Sequence, residues 1–430
     1  MKTLEFGSRA CRRWLAALPR ASAPRPEVVR AAEAIVRAVR RDGDAALVRL
    51  TAKLDGVRLT PARLRVRAGE IRTLARKADR PLVAALRRMA EQIEDFHARQ
   101  LERGFRRELP DGSLLEEIVR PLGSAGLYVP GGAGAYPSSV LMNAIPAKVA
   151  GVERLVVVTP PRTLETNPAV AAALVVAGVE EHVFRVGGAQ AIAALAYGTR
   201  TIAPVDAIVG PGNAYVAAAK RAVRGQVEID TEAGPSEVVI LADASADAGF
   251  VAADLLAQAE HGSGDETVVL VTPSRALAEE VTRLVALGAA SVANAVPARR
   301  AVARNGAVLL VADLEQGLAA VNELAPEHVE VMTRGAARVA RRIVGGAVFV
   351  GAYTPVAVGD YGIGPNHVLP TGGAARFASP LSVRDFQRRQ SVVTLTRAGL
   401  ARVTEDVVRV AMAEGFRGHA QSVLARFEGE

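Results

Sequence analysis

Between Gly126 and Val350 the chain alternates nine short, continuously apolar runs with helical stretches, and this alternation restricts its fold more than any other feature. The runs are Gly126–Val129, Arg154–Thr159, Val183–Val186, Asp206–Val209, Glu237–Ala242, Thr267–Thr272, Ala307–Ala312, His328–Met332 and Ala347–Val350. Rich in Val and Ile, with little polar alternation, they read as strands buried on both faces. Pro137–Ala150, Asn213–Arg224 and Ala246–Glu260 carry helical patterns between them. Such alternation puts helices on both faces of parallel sheets, the doubly wound α/β arrangement. Nine strands overfill one such sheet, and the breaks at Gly210-Pro211-Gly212 and Gly234-Pro235 fall midway, so two α/β domains are expected.

The flanks differ in texture. Before the turn at Pro110-Asp111-Gly112 the chain is helical in pattern over Pro26–Arg41, Ala45–Leu54 and Pro81–Leu101. From about Pro380 there is one strand pattern, Ser391–Thr396, and two helical ones, Leu400–Glu414 and Gly418–Phe427. That piece is too small to make a core and is expected to pack on a neighbour such as a partner subunit. No internal repeat stands out.

Composition removes several function classes. Cys11 is the single cysteine, which excludes an internal disulfide framework and any cysteine-clustered zinc or iron–sulfur site. A bound metal would have to use carboxylate, amide or the six histidines. The net charge is +8, with five lysines and 48 arginines, but there is no long basic run and no nucleic-acid-binding motif, so the charge speaks to solubility rather than to nucleic acid. No apolar stretch reaches the roughly 18 residues of a membrane helix. Trp14–Leu18, after Arg12-Arg13, is too short for a secretory core. A cytoplasmic location is expected, and the near-absence of cysteine agrees with it.

The usual dinucleotide and P-loop glycine patterns are absent. In their place are glycine turns between strand and helix at Pro130-Gly131-Gly132, Gly187-Gly188-Ala189-Gln190 and Gly210-Pro211-Gly212-Asn213. Such turns collect at the carboxyl edge of a parallel sheet, where backbone and helix N-termini meet phosphates, with Tyr128, Gln190 and Asn213 as polar or stacking partners. Each turn taken singly is equally compatible with plain turn geometry.

Among the histidines, His97 reads as a partly exposed helix residue and His182 as structural. Gln258 and His261, three apart at a helix end, share one face; they fit a pair of metal ligands, or a histidine at a helix C-terminus satisfying the dipole. Glu327 and His328 are adjacent at a strand start and suit two separate acid–base roles. Asp360 stands in the glycine-rich Val358-Gly359-Asp360-Tyr361-Gly362, a fair place for a site carboxylate.

These stretches recur in an order that resembles the histidinol dehydrogenase family over essentially the whole chain. They include Arg41-Asp42-Gly43-Asp44, Tyr128-Val129-Pro130-Gly131-Gly132, Tyr136-Pro137-Ser138-Ser139, Gly187-Gly188-Ala189-Gln190, Gly210-Pro211-Gly212-Asn213, Ala233-Gly234-Pro235-Ser236-Glu237, Gln258-Ala259-Glu260-His261-Gly262, Ala325-Pro326-Glu327-His328, Asn366-His367-Val368-Leu369-Pro370-Thr371 and Glu414-Gly415 with His419. The resemblance implies four-electron oxidation of L-histidinol to L-histidine through L-histidinal, with one Zn²⁺ per subunit and NAD. It implies Gln258, His261, Asp360 and His419 as zinc ligands, which also meet substrate, and Glu327 and His328 as the catalytic pair. Ser236, His328, His367 and Glu414 match substrate-contacting positions, and Tyr128, Gln190 and Asn213 match NAD-binding ones. A homodimer is implied, with His419 and Glu414 reaching the partner's site.

The expected division has 1–25 packing with the C-terminal region, 26–120 joined with 236–379 as a zinc and substrate domain, 121–235 as an incomplete Rossmann-like NAD domain, and 380–430 as a helical dimerisation tail. Two departures from the family pattern adjoin the site: Thr231-Glu232 stand where Met-Pro is usual, and Ser263-Gly264-Asp265 replace a shorter Pro-Asp form. The rival readings are a paralogue oxidising another small polar alcohol, a basic non-catalytic binding protein, and a zinc hydrolase, the last lacking an HExxH helix. With Cys11 far in sequence from every motif, the aldehyde is expected to be oxidised as a hydrate rather than a thiohemiacetal.

Overall fold

The nine apolar runs all become strands, and they divide between two sheets. The structure is a computed structural model that describes residues 1–18, 25–131, 136–231 and 234–428. Across the first sheet the strands run Arg65–Val66, Val183–Arg185, Arg154–Thr159, Ser124–Tyr128, Ala207–Val209 and Glu228–Ile229, parallel except for the first. Across the second they run Lys2–Glu5, Ala307–Leu310, Thr267–Thr272, Glu237–Ala242, His328–Met332 and Ala347–Val350, all parallel. In each, three successive strands step outward, the fourth returns to the other side of the first, and a strand from earlier in the chain closes the outer edge. The two domains therefore repeat one winding, a repeat that the residue sequence does not display.

Helices cover both faces of both sheets, as the run lengths require. On the first sheet, Pro137–Ala150, Pro168–Ala177, Ala68–Ala75 and Arg80–Ala98 enclose one core. Pro26–Asp42, Asp44–Leu54, Gly188–Tyr197 and Ala214–Val223 enclose the other. On the second sheet, Ala248–Ala259, Arg275–Gly288 and Ala295–Arg304 lie on the face of Val238 and Ile240. Arg9–Ala17 and Leu314–Leu324 lie on the face of Val239 and Leu241.

This packing corrects the expected domain boundaries. Helices 26–98 bury their apolar stripes on the first sheet, with Val28, Ala32 and Val36 in one core with Val156 and Ile192, and not on the sheet of 236–379. The N-terminal segment packs on the second sheet: Lys2–Glu5 pairs with Ala307–Leu310, and Cys11, Trp14 and Leu15 cover Val239, Val269 and Val329. Val368, Leu381, Val383 and Phe386 return to the first domain's core. Residues 19–24 of the N-terminal segment lie outside the described residues.

The chain divides into one unit of Met1–Gln100 with Leu122–Phe386, and a second of Leu101–Pro121 with Gln387–Glu430. The second unit is more than a helical tail. Phe105–Glu108 and Leu114–Pro121 form a hairpin to which Gln387–Thr394 adds antiparallel, followed by helices Arg397–Ala413 and Arg417–Leu424. Val393, Val407, Val410, Met412 and Phe416 are exposed there. No helix among the described residues is long and apolar enough to cross a membrane.

Candidate active site

The winding of the second sheet reverses between Glu237–Ala242 and His328–Met332, and the acid–base candidates stand at that point. Glu237 and His328 are the first residues of their strands, so this site lies at the amino edge of the sheet rather than at the carboxyl edge where such folds usually bind ligands. Ala325, the only non-glycine residue with positive φ among the described residues (φ 45°), ends the preceding helix and turns Pro326 and Glu327 into the strand.

Two buried carboxylates fasten each other there. Glu327 Oε2 accepts the N–H of Glu237 at 2.9 Å, and Glu237 Oε2 accepts those of Glu327 at 3.2 Å and Gly372 at 3.1 Å. Burial, with the negative charges of Glu237 and Asp360 nearby, pushes the Glu327 carboxyl well above the usual range, while the Ser236 side chain bonds it. His328 Nδ1 lies 2.9 Å from the Glu237 carbonyl oxygen. A carbonyl only accepts, so Nδ1 carries the proton and Nε2 keeps a free lone pair. Burial, with His261 and His367 close, pushes the ring down to about 4 and holds it neutral.

Gln258 stands in the last turn of the helix Ala248–Ala259, and His261 follows in the turn after it. His261 Nδ1 lies 3.1 Å from the Gln258 carbonyl, which leaves its Nε2 bare in the same way. Gln258 is buried and its side-chain Oε1 has no hydrogen-bond partner, an oxygen that a cation would satisfy. Asp360 is on the short helix Val356–Tyr361; burial raises it to about 6, against the pull of His261. Amide oxygen, imidazole and carboxylate suit zinc. Crowded buried acids at Glu327 and Asp360 likewise favour a cation among them. Within the described residues no three His, Cys, Asp or Glu side chains are grouped to hold a metal, so the set requires its amide and a further donor.

His367 joins this group through its field on His328 and His261, and burial brings it down to about 4. Its neighbour Asn366 is held by the Met142 carbonyl at 2.7 Å and lies 3.5 Å from His97 Nε2. The expectation for His97 is corrected: it is fully buried, with Nδ1 on the Ile93 carbonyl at 2.8 Å, and it braces the loop that carries His367. The apolar stripe of Leu86, Met89 and Ile93, on which His97 falls one turn later, was the available signal. Glu237 was also missed as an anchor, though a glutamate opening the run Val238–Ala242 was visible.

The nucleotide candidates sit at the carboxyl edge of the first sheet. The Tyr128 hydroxyl accepts the N–H of Gly188 at 3.1 Å, and Gln190 Nε2 reaches Asp55 at 3.4 Å while its Oε1 is buried without a partner. Asn213 is exposed and caps Ala214–Val223 by accepting from Tyr215 and Val216. A Cβ at Gly210 (φ 113°) would stand 2.3 Å from the Tyr128 carbonyl oxygen, so only glycine brings these two turns together. Lys220 and Asp230 lock the same glycine: the ammonium donates to its carbonyl and to Asp230 Oδ1, each at 2.5 Å, and Asp230 Oδ2 accepts its N–H at 2.7 Å.

Of the departures, Ser263-Gly264 fold onto Glu266, whose carboxylate accepts both N–H groups at 2.7 and 2.8 Å, so the longer loop closes on itself. Gly132, Glu232 and Ala233 lie outside the described residues. Cys11 is enclosed in the core on the sheet face opposite His328, and burial pushes its thiol up. Glu414 and His419 belong to the second unit and are exposed in it, with the His419 ring stacked on Phe416 at 5.0 Å.

Comparisons with known proteins agree with one another. The family described as histidinol dehydrogenase matches residues 18–427. A histidinol dehydrogenase of Moorella thermoacetica is 46% identical over 435 residues, 100% of both chains, and one of Listeria monocytogenes is 44% identical over 93% of this chain and 92% of its own. The crystal structure of histidinol dehydrogenase from Elizabethkingia anophelis has a TM-score of 0.91 at 32% identity, covering 100% of this chain and 98% of that one.

Proposed function

The chain belongs to the histidinol dehydrogenase family, oxidoreductases of histidine biosynthesis acting on histidinol, and on that premise we propose a four-electron oxidation of L-histidinol to L-histidine with Zn²⁺ and NAD⁺. The observation that carries the reading is the convergence of His261, Glu327, His328, Asp360 and His367, each of which feels the charge of at least one other, with His328 Nδ1 3.5 Å from Glu327 Oε2.

Gln258, His261 and Asp360 would hold one zinc ion, with His419 supplied by the tail of the partner subunit in a homodimer. When bound, the ion supplies a positive charge and a fixed point for the nitrogen atoms of the substrate. Tyr128, Gln190 and Asn213 would seat NAD⁺, which supplies the hydride acceptor.

His328 takes the hydroxyl proton at Nε2 as hydride leaves the carbinol carbon, because its Nδ1 is committed to the Glu237 carbonyl. Glu327 then draws a proton from water as it adds to L-histidinal, and protonated His328 returns its proton to the former carbonyl oxygen, which gives the hydrate and frees Nε2 again. The Glu327 carboxyl is aimed by the Glu237 N–H, and burial pushes it upward. His328 serves again in the second hydride transfer, to a second NAD⁺. Ser236, His367 and Glu414 contact the substrate. We place the enzyme in the cytoplasm, where NAD-dependent amino-acid synthesis draws on the nicotinamide pool.

The test is NAD⁺ reduction by the purified protein with L-histidinol before and after metal removal. Chelation should abolish it and added Zn²⁺ restore it. Full activity in thoroughly metal-free protein would rule out the zinc part of the proposal.

A further inference from the structure

One carboxylate in the second domain is unused by this mechanism and sits where a strand should be apolar. Glu330 is 1% exposed, two residues after His328 on the same face of the strand, and pairs across the sheet with Phe349. An isolated carboxyl there costs several kcal/mol unless it is fully bonded.

Its bonds reach two other elements. Oε1 accepts the N–H of Val356 at 2.8 Å. Val356 opens the helix that carries Asp360, and this helix has no side-chain cap of its own because its N-cap is Pro355. Oε2 is enclosed without any N–H donor or hydroxyl, and the Asp254 side chain, on the helix that carries Gln258, hydrogen bonds the Glu330 carboxyl. Two carboxyl groups bond only when one holds a proton. Burial and the charge of Asp254 raise Glu330 to about 8, so Glu330 holds it at neutral pH.

The offsets are regular. Asp254 is one helical turn before Gln258, Val356 one turn before Asp360, and Glu330 one strand repeat after His328. The network thus touches the three elements that supply Gln258, His328 and Asp360.

We infer that Glu330 is a positioning residue: by bonding Asp254 and the Val356 backbone together, it sets the mutual placement of Gln258, His328 and Asp360, and so the strength of metal binding. This rests on the zinc set proposed above.

The experiment measures zinc affinity by chelator competition on the full-length protein, together with steady-state kinetics and thermal unfolding, for E330Q, E330M and D254A. An amide can accept from Val356 and donate to Asp254, so E330Q should keep zinc affinity and kcat within about threefold. E330M fills the space without either bond; zinc affinity should drop at least tenfold and kcat with it, while KM for NAD⁺ changes little. D254A, at a partly exposed position, should weaken zinc in the same direction and decides the matter should E330M fail to fold. Wild-type zinc affinity in a folded E330M or in D254A overturns the inference, as does an E330Q as impaired as E330M. If the unmodified protein takes up no zinc, it is the assignment of Gln258, His261 and Asp360 that fails.

Discussion

Glu237 and Glu327 hold each other across neighbouring strands, each side chain accepting the backbone N–H of the other, at 2.9 and 3.2 Å. Glu237 also pins Gly372. It touches no reacting atom in the proposed mechanism, yet it aims one that does. E237A should lower kcat about 100-fold, the scale of a misplaced catalytic group, with zinc content unchanged. Steady-state kinetics beside metal analysis checks this, and a kcat within threefold of wild type would show that Glu327 needs no such anchor.

His328 is buried as a neutral ring, lowered to about 4 from an unfolded value near 6.5. In the window between these values the unfolded chain binds the extra proton, so the contribution of His328 to stability is complete above pH 6.5 and is lost as the pH falls toward 4. Other buried acids slope the opposite way, so the difference between variants is the informative quantity. Relative to the native chain, metal-free H328Q should gain about 2 kcal/mol between pH 7 and pH 5, measured by urea unfolding. A difference that does not move with pH would mean the ring is not held neutral by burial.

Gly359 lets the Asp360 helix approach the ring of Phe349, which in turn lies 6.1 Å from the ring of His328. A Cβ at 359 would stand 2.6 Å from Phe349 Cζ. G359A should therefore cost about 1–3 kcal/mol of stability and push Asp360 outward, weakening zinc at least tenfold. Chelator competition and calorimetry read both effects, and native zinc affinity would remove Asp360 from the ligand set.

Much of this was written in the residues, and the losses have physical reasons. Strands 154–159, 237–242, 267–272 and 328–332 fall where the apolar runs place them, because a strand enclosed on both faces needs apolar side chains at nearly every position. Edge strands escape that rule: Lys2–Glu5 and Arg65–Val66 are half solvated and polar, and only pairing with a distant partner reveals them. The domain to which helices 26–98 belong was illegible for a similar reason, since an apolar stripe does not say which sheet it covers. Glu327 and His328 could be found from their adjacency, but their tautomer and charge depend on Glu237, ninety positions away, and no local pattern carries that.

Lys220 and Asp230 are buried together, each side chain 3% exposed, and fix Gly210 through both its N–H and its carbonyl. K220M removes one partner and strands a carboxylate, an imbalance worth about 3–5 kcal/mol. Denaturant unfolding should show that loss, and KM for NAD⁺ should rise as the Gly210–Asn213 turn loosens. An unchanged KM in folded protein would separate this turn from the nucleotide.

In the proposed mechanism one site, built on Glu327 and His328, performs two successive hydride transfers on the same molecule. This is tested most directly by the stoichiometry of a limiting amount of L-histidinol consumed by the zinc-loaded enzyme in excess NAD⁺. Two NADH and one L-histidine per L-histidinol is the predicted result. One NADH with accumulated L-histidinal, or none from L-histidinol and some from another alcohol, would contradict it.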